Sequence, residues 1–289
     1  MKATLLATLI FFLFLSTPIK TTYPIVLMHG ISCGHENMAL VVDWIHEYLG
    51  EDVYVKNMEI GDGYWDSIFN SMFESVSEFA NNIQSDPILS SAEKINIIAH
   101  SQGGLITRGY IELFNDPPVS TYITWSSPHA GVFGIPLLNI EWVDKLLQET
   151  PYIALAQKEV NPAQYWKDPL KYQDYLENCV YLPLLNNELT KKNPDYRKNI
   201  ISLDQFVMVK SLIDNTIVPR ESTWFGFYDE NMNVISYNTT VAYKEDWIGI
   251  RTLAESNRLF HRTTMCQHKD YPLKKCLDNF LTNTLPFLK

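Results

Sequence analysis

Residues able to do chemistry concentrate in Ala99-His100-Ser101-Gln102-Gly103-Gly104. The segment follows a short apolar run, Ile95–Ala99, and opens an amphipathic stretch, Leu105–Phe114. A serine flanked by small residues at a strand-to-helix turn is the nucleophile-elbow pattern, here with Ala99 where a Gly usually stands. The turn is tight, so the residues two positions to either side of the serine, Ala99 and Gly103, must be small. The first turn of the following helix carries N–H groups with no intrahelical acceptor, and these can stabilise a developing oxyanion. The chemistry expected of Ser101 is attack on an acyl carbonyl.

An elbow serine needs an acid and then a base, in that chain order. Asp214 lies just beyond the apolar run Phe206–Val209, at the carboxyl end of a predicted strand, where sites collect in open α/β sheets. His268 follows the last predicted strand and precedes the last predicted helix. It is preferred to His261, which falls inside the strand pattern. His35 is assigned to a loop, His46 to a helix surface and His100 to a buried position beside the sheet. His129 follows a strand at the edge of the cleft, but it precedes Asp214 and is read as structural. The dipeptide His29-Gly30 follows the first strand, and a turn there supplies a second oxyanion donor. The donors expected are the backbone N–H groups of Ile31 and Gln102. Ser101 would attack, His268 would take and return its proton, Asp214 would orient the imidazole, and water would release the acyl group. This chemistry calls for no metal and no cofactor, and no Cys/His spacing matches a zinc site.

The elements that must hold these residues read as an α/β pattern. Strands are predicted at Ile25–Met28, Val53–Val55, Ile95–Ala99, Tyr122–Trp125, Phe206–Val209 and Leu259–Arg262. Several are apolar on both faces, as parallel strands covered by helices are. Apolar residues at helical spacing predict a helix over Ser67–Ile83 with Asp66 as its N-cap. A last helix is predicted near Lys274–Leu285. From 135 to 199 the chain is aromatic, Pro-punctuated and helical in character, and it reads as a cap inserted into one catalytic unit that spans 23–289.

The chain has 289 residues, with 46% hydrophobic, 13% aromatic and a formal net charge of −10. That composition excludes a disordered or disulfide-stapled miniature protein. The acidic balance and the lack of any basic run argue against nucleic acid as a partner. Lys2 followed by the apolar stretch Ala3–Leu15 is secretory-signal grammar, with processing placed before residue 23. The stretch is too short to span a bilayer comfortably, so no stable membrane insertion is expected after cleavage. In a secreted chain the four cysteines point to disulfides, and Cys266 with Cys276 is the preferred pair. Cys33 and Cys179 are left open. Asn238-Thr239-Thr240 is a glycosylation sequon, consistent with a secretory route.

Several segments taken in order resemble the palmitoyl-protein thioesterase family. They are His29-Gly30, Ser101-Gln102-Gly103-Gly104, Gly131-Val132-Phe133-Gly134, Tyr165-Trp166-Lys167-Asp168-Pro169, Phe206-Val207-Met208-Val209-Lys210 with Asp214, and Trp224-Phe225-Gly226-Phe227-Tyr228. The resemblance covers nearly the whole chain from Tyr23. It implies an α/β-hydrolase fold with a mostly parallel sheet, a lysosomal or secreted location, and removal of long fatty acyl groups from cysteine thioesters. The implied partners are S-acylated proteins or peptides and acyl-CoA. It supports Ser101, Asp214 and His268, and it implies that Trp166, Ile217 and Val218 line the acyl groove. The chain departs from the family in Ala99 for Gly and in Lys167 where a His is common. Its Cys266/Cys276 loop looks like the second branch of the family. The competing readings are a secreted lipase or carboxylesterase acting on oxyesters, and a catalytically silent lipid-binding protein.

Overall fold

In the computed structural model, which describes residues 22–134 and 140–288, the apolar run at Ile95 becomes the strand β3, Ile95–His100. Its side chains alternate between two cores. Ile95, Ile97 and Ala99 face one and Ile98 the other. Five further strands share this sheet: β1 (Ile25–Met28), β2 (Val55–Met58), β4 (Val119–Trp125), β5 (Gln205–Ser211) and β8 (Leu259–Thr264), in the order β2-β1-β3-β4-β5-β8. Every pairing between neighbours is parallel. A short antiparallel hairpin, β6 (Phe227–Tyr228) with β7 (Val234–Ile235), stands apart from it.

Helices cover both faces. On one, α1 (Ala39–Leu49) packs Val41, Trp44 and Ile45 beneath the sheet, together with Phe280 of the last helix, Leu277–Asn283. On the other lie α2 (Asp66–Phe69), α3 (Met72–Ser85), the single turn α4 (Pro87–Ser90) and α5 (Gln102–Leu113). The helices α3 and α5 cross closely at Gly109, where a Cβ would lie 2.6 Å from a Val76 methyl.

The long helix predicted over Ser67–Ile83 is two helices. The chain breaks at Asn70-Ser71, and Ser71 with Glu74 forms a capping box that starts α3. Asp66 is therefore not the N-cap of the long helix but a first-turn residue of α2, its carboxylate accepting from the Asp62 N–H at 2.8 Å. The second strand starts later than expected, at Val55, because Val53 is held in a turn by its N–H bond to the Gly50 carbonyl. The last predicted helix is shorter and is bracketed by single turns at Lys274–Cys276 and Leu285–Phe287.

Between β4 and β5 the described residues of the inserted segment form the helices α6 (Glu141–Glu149), α7 (Ala154–Glu159), α8 (Tyr172–Asn178), α9 (Leu182–Leu185) and α10 (Pro194–Ile200), with a turn at Asn161–Tyr165. Residues 1–21 of the expected leader, and Ile135, Leu137 and Leu138 of the expected cap, lie outside the described residues. Among the described residues no helix is long and apolar enough to cross a membrane.

Candidate active site

Ser101 sits between β3 and α5 with φ 54° and ψ −127°. A non-glycine residue adopts such a backbone only where its surroundings hold it there. The Ser101 N–H donates to the Trp125 carbonyl at 2.9 Å, and the Gly104 N–H to the Ser101 carbonyl at 3.0 Å. The glycines are needed for close approach. A Cβ on Gly103 would lie 2.2 Å from the His29 carbonyl oxygen, and one on Gly104 would lie 2.0 Å from Ser127 Oγ. The loop after β1 therefore lies directly on the elbow.

His268 follows β8 in the turn His268–Asp270, two residues beyond Cys266. Its Nε2 lies 2.9 Å from Ser101 Oγ, and its Nδ1 lies 2.8 Å from Asp214 Oδ2. Asp214 Oδ1 accepts from the N–H groups of Thr216 at 2.8 Å and Ile217 at 3.1 Å. Burial pushes the Asp214 carboxyl up. The His268 hydrogen bond and charge, the Ile217 N–H and the Ser126 hydroxyl outweigh burial and hold it down at about 2. The three residues chosen from chain order thus form one buried hydrogen-bonded chain. His261, set aside on sequence grounds, lies within β8 with its ring stacked on Tyr237.

Cys266 and Cys276 are joined in a disulfide that closes the segment around His268. Cys33 and Cys179 are free.

Residues that sequence reasoning gave no catalytic part support this chain. His100 is buried and its ring Nε2–H donates to the His268 carbonyl at 2.9 Å. Burial, reinforced by the nearby His268, lowers its pKa to about 3, so His100 stays neutral. Ser126 Oγ lies 3.0 Å from the Tyr271 hydroxyl, and Tyr271 packs on the His100 ring. His129 does not reach the cleft. It is fully buried, stacked on Phe225 at 4.9 Å and within 3.1 Å of Thr124 Oγ1. Apart from the position of His100 beside the serine, no local spacing signals these contacts.

The turn after β1 brings Gly30 to the elbow. A Cβ on Gly30 would meet Ser101 Cβ at 3.0 Å. The peptide between Gly30 and Ile31 is held by His29 Nδ1–H, which donates to the Gly30 carbonyl at 2.8 Å. A peptide N–H points opposite to its carbonyl, so this bond also fixes the direction of the Ile31 N–H. The Ser32 N–H donates to Ser67 Oγ at 2.8 Å. Gln102 is the first residue of α5, where the N–H has no intrahelical acceptor.

Trp166 and Val218 gather around one stretch, Val132–Gly134. Val132 bridges to Trp166, the Phe133 and Trp166 rings lie 5.4 Å apart, and the Phe133 N–H donates to the Val218 carbonyl at 2.7 Å. Ile217 is tied to Asp214 through its N–H. Lys167 is nearly buried and pairs with Glu188 at 2.6 Å. Asn238 is exposed in the turn Tyr237–Thr239.

A family model described as palmitoyl protein thioesterase matches residues 24–268. The chain belongs to the palmitoyl protein thioesterase family. It is 44% identical over 274 residues to palmitoyl-protein thioesterase 3 of Dictyostelium discoideum, covering 94% of each chain. It is 34% identical over 243 residues to the lysosomal thioesterase PPT2 homolog of Drosophila melanogaster, covering 82% of each. Among solved structures it is similar to a monoacylglycerol lipase from Paleococcus ferrophilus, with a TM-score of 0.50 at 14% identity over 92% of this chain and 96% of that one. That likeness and the parallel sheet flanked by helices give the α/β-hydrolase fold. Membership of this family makes the chain a thioester hydrolase.

Proposed function

We propose that this enzyme removes long-chain fatty acyl groups, palmitoyl among them, from cysteine thioesters through a Ser101–His268–Asp214 triad. The observation that carries the reading is the unbroken hydrogen-bonded chain from Ser101 Oγ to the Asp214 carboxylate in a member of a thioesterase family. Ser101 Oγ attacks the thioester carbonyl as His268 Nε2 accepts its proton. The oxyanion is met by the N–H groups of Ile31 and Gln102. Collapse breaks the C–S bond, His268 returns the proton to the departing sulfur, and an acyl-serine remains. Water then attacks, with His268 as base, to release the fatty acid. Asp214 holds the Nδ1–H tautomer throughout and stabilises the imidazolium.

Trp166, Ile217 and Val218 line the groove for the acyl chain, with the 135–199 insertion as its cap. Substrates are S-acylated proteins or peptides and acyl-CoA. The leader before residue 23, the exposed Asn238 sequon and the lysosomal name of a relative support a glycoprotein that is delivered to the lysosome or secreted. The test is a panel of S-palmitoyl peptide, palmitoyl-CoA, shorter acyl-CoAs and the matched oxyester. Preference for long thioesters is expected, whereas a strong oxyester preference would instead favour a lipase or carboxylesterase.

A further inference from the structure

A second buried hydrogen-bond chain runs from the cap to the oxyanion donors. In the cap turn Asn161–Tyr165, the Tyr165 hydroxyl donates to Gln102 Oε1 at 2.8 Å. The Gln102 Nε2–H donates to the Ser67 carbonyl at 2.9 Å, which Asn161 Nδ2 also reaches at 3.0 Å. Ser67 Oγ in turn accepts from the Ser32 N–H and donates to the Tyr64 carbonyl at 2.7 Å. Tyr165, Gln102, Asn161 and Ser67 are all buried. Away from water each of these bonds is costly to leave unmade, so the set holds one geometry.

Beyond Tyr165, this chain meets both proposed oxyanion donors. Gln102 supplies one donor through its own N–H, and Ser32 follows Ile31 with its N–H fixed by Ser67. Ser32 has φ 56°, a left-handed backbone that a serine keeps only when held. The cap end falls on Tyr165, whose chain neighbour is Trp166 of the acyl groove.

We propose that Tyr165 is a positioning residue that couples filling of the acyl groove to the geometry of the oxyanion hole, through Gln102 and Ser67. A long acyl chain against Trp166 seats the cap turn, and the turn holds both donors in line. Remote binding energy of the acyl chain is thereby realised in the chemical step, as kcat and not only as KM. The inference rests on the triad reading above.

The test compares wild type, Tyr165→Phe, Ser67→Ala and the double variant on palmitoyl-CoA and a short acyl-CoA, with active sites counted by a fluorophosphonate. For Tyr165→Phe on palmitoyl-CoA, kcat per titrated serine should fall about 10-fold, short of the ~10²–10³ expected on deleting an oxyanion donor outright. KM should be unchanged, and the wild-type advantage in kcat of the long chain over the short one should shrink. Ser67→Ala should show the same pattern, and the double variant should be no slower than the slower single variant. A merely structural role would lower the titratable fraction and the Tm while leaving kcat per titrated serine intact, and that result overturns the proposal. So does a loss confined to KM, or a chain-length ratio that survives in Tyr165→Phe. If wild type hydrolyses no thioester yet labels with the probe, the functional reading fails separately. The relay is then read from the phosphonylation rate of Ser101, which should still be slower in Tyr165→Phe if the relay exists and equal to wild type if it does not.

Discussion

Replacing Asp214 by Asn tests the triad through its proton positions. Asp214 Oδ1 accepts the N–H groups of Thr216 and Ile217, while Oδ2 faces His268 Nδ1 at 2.8 Å. In Asp214→Asn the amide oxygen must take the two backbone donors, since an NH₂ group there would leave them facing another donor. The NH₂ is then turned toward Nδ1 and can only donate to it. The imidazole must place its proton on Nε2, where it cannot accept from Ser101. The fold survives, because the loop keeps both backbone bonds, but the base is in the wrong tautomer. The same substitution in a serine-protease triad costs about 10⁴ in kcat, equivalent to ~5 kcal/mol of transition-state stabilisation. The assay is palmitoyl-CoA hydrolysis together with the rate of fluorophosphonate labelling, on protein of unchanged Tm. Both rates should collapse together. An Asp214→Asn variant that keeps activity close to wild type would refute the tautomer argument.

Other consequences follow from the same contacts. With its carboxyl held at about 2, Asp214 stays ionised in mildly acidic medium. Asp214 should therefore remain charged across the acid limb of kcat/KM, and a carboxyl titrating in that profile near its ordinary ~3.9 would contradict this. The lowered carboxyl also stabilises the fold above its unfolded value of ~3.9, and that contribution is lost as pH falls through about 2. Glu112 behaves in the opposite sense. Burial raises its carboxyl to about 8 against the opposing pull of Arg108. The folded state then holds a proton that the unfolded chain, with a carboxyl near ~4.3, releases. Stability should fall as pH rises across that window, and Tm measured against pH should lose this slope in Glu112→Gln. A Cβ at Gly103 would lie 2.2 Å from the His29 carbonyl. Gly103→Ala should push the oxyanion turn off the elbow, lowering kcat far more than it raises KM; unaltered turnover would show that the contact relaxes harmlessly.

The sheet was legible because its strands are short, several of them are apolar on both faces, and amphipathic stretches separate them. Ile25–Met28 is found with the expected bounds, His100 extends β3 beyond Ala99, and β4, β5 and β8 run somewhat longer than expected, over Val119–Trp125, Gln205–Ser211 and Leu259–Thr264. The edge strand β2 was misplaced because Lys56 and Asn57 interrupt its apolar pattern. The break between α2 and α3 is invisible to periodicity, since Ile68 on one side and Val76 on the other are both buried. Its one local trace is the Ser71/Glu74 capping box. Ser101, Asp214 and His268 could be picked out because chain order and strand ends constrain them. His100, Ser126, Tyr271, Ser67 and Tyr165 could not, because their roles lie in hydrogen bonds across large sequence separations: 168 residues from His100 to His268 and 63 from Tyr165 to Gln102. Such contacts exist only once the fold has formed.

The most direct measurement of the central claim is hydrolysis of an S-palmitoyl peptide by wild type and Ser101→Ala, with fatty acid and free thiol both quantified. Wild type should release the two in equal amounts and label with a serine-directed fluorophosphonate, while Ser101→Ala should do neither at unchanged Tm. Full thioester hydrolysis by a folded Ser101→Ala protein would contradict the account.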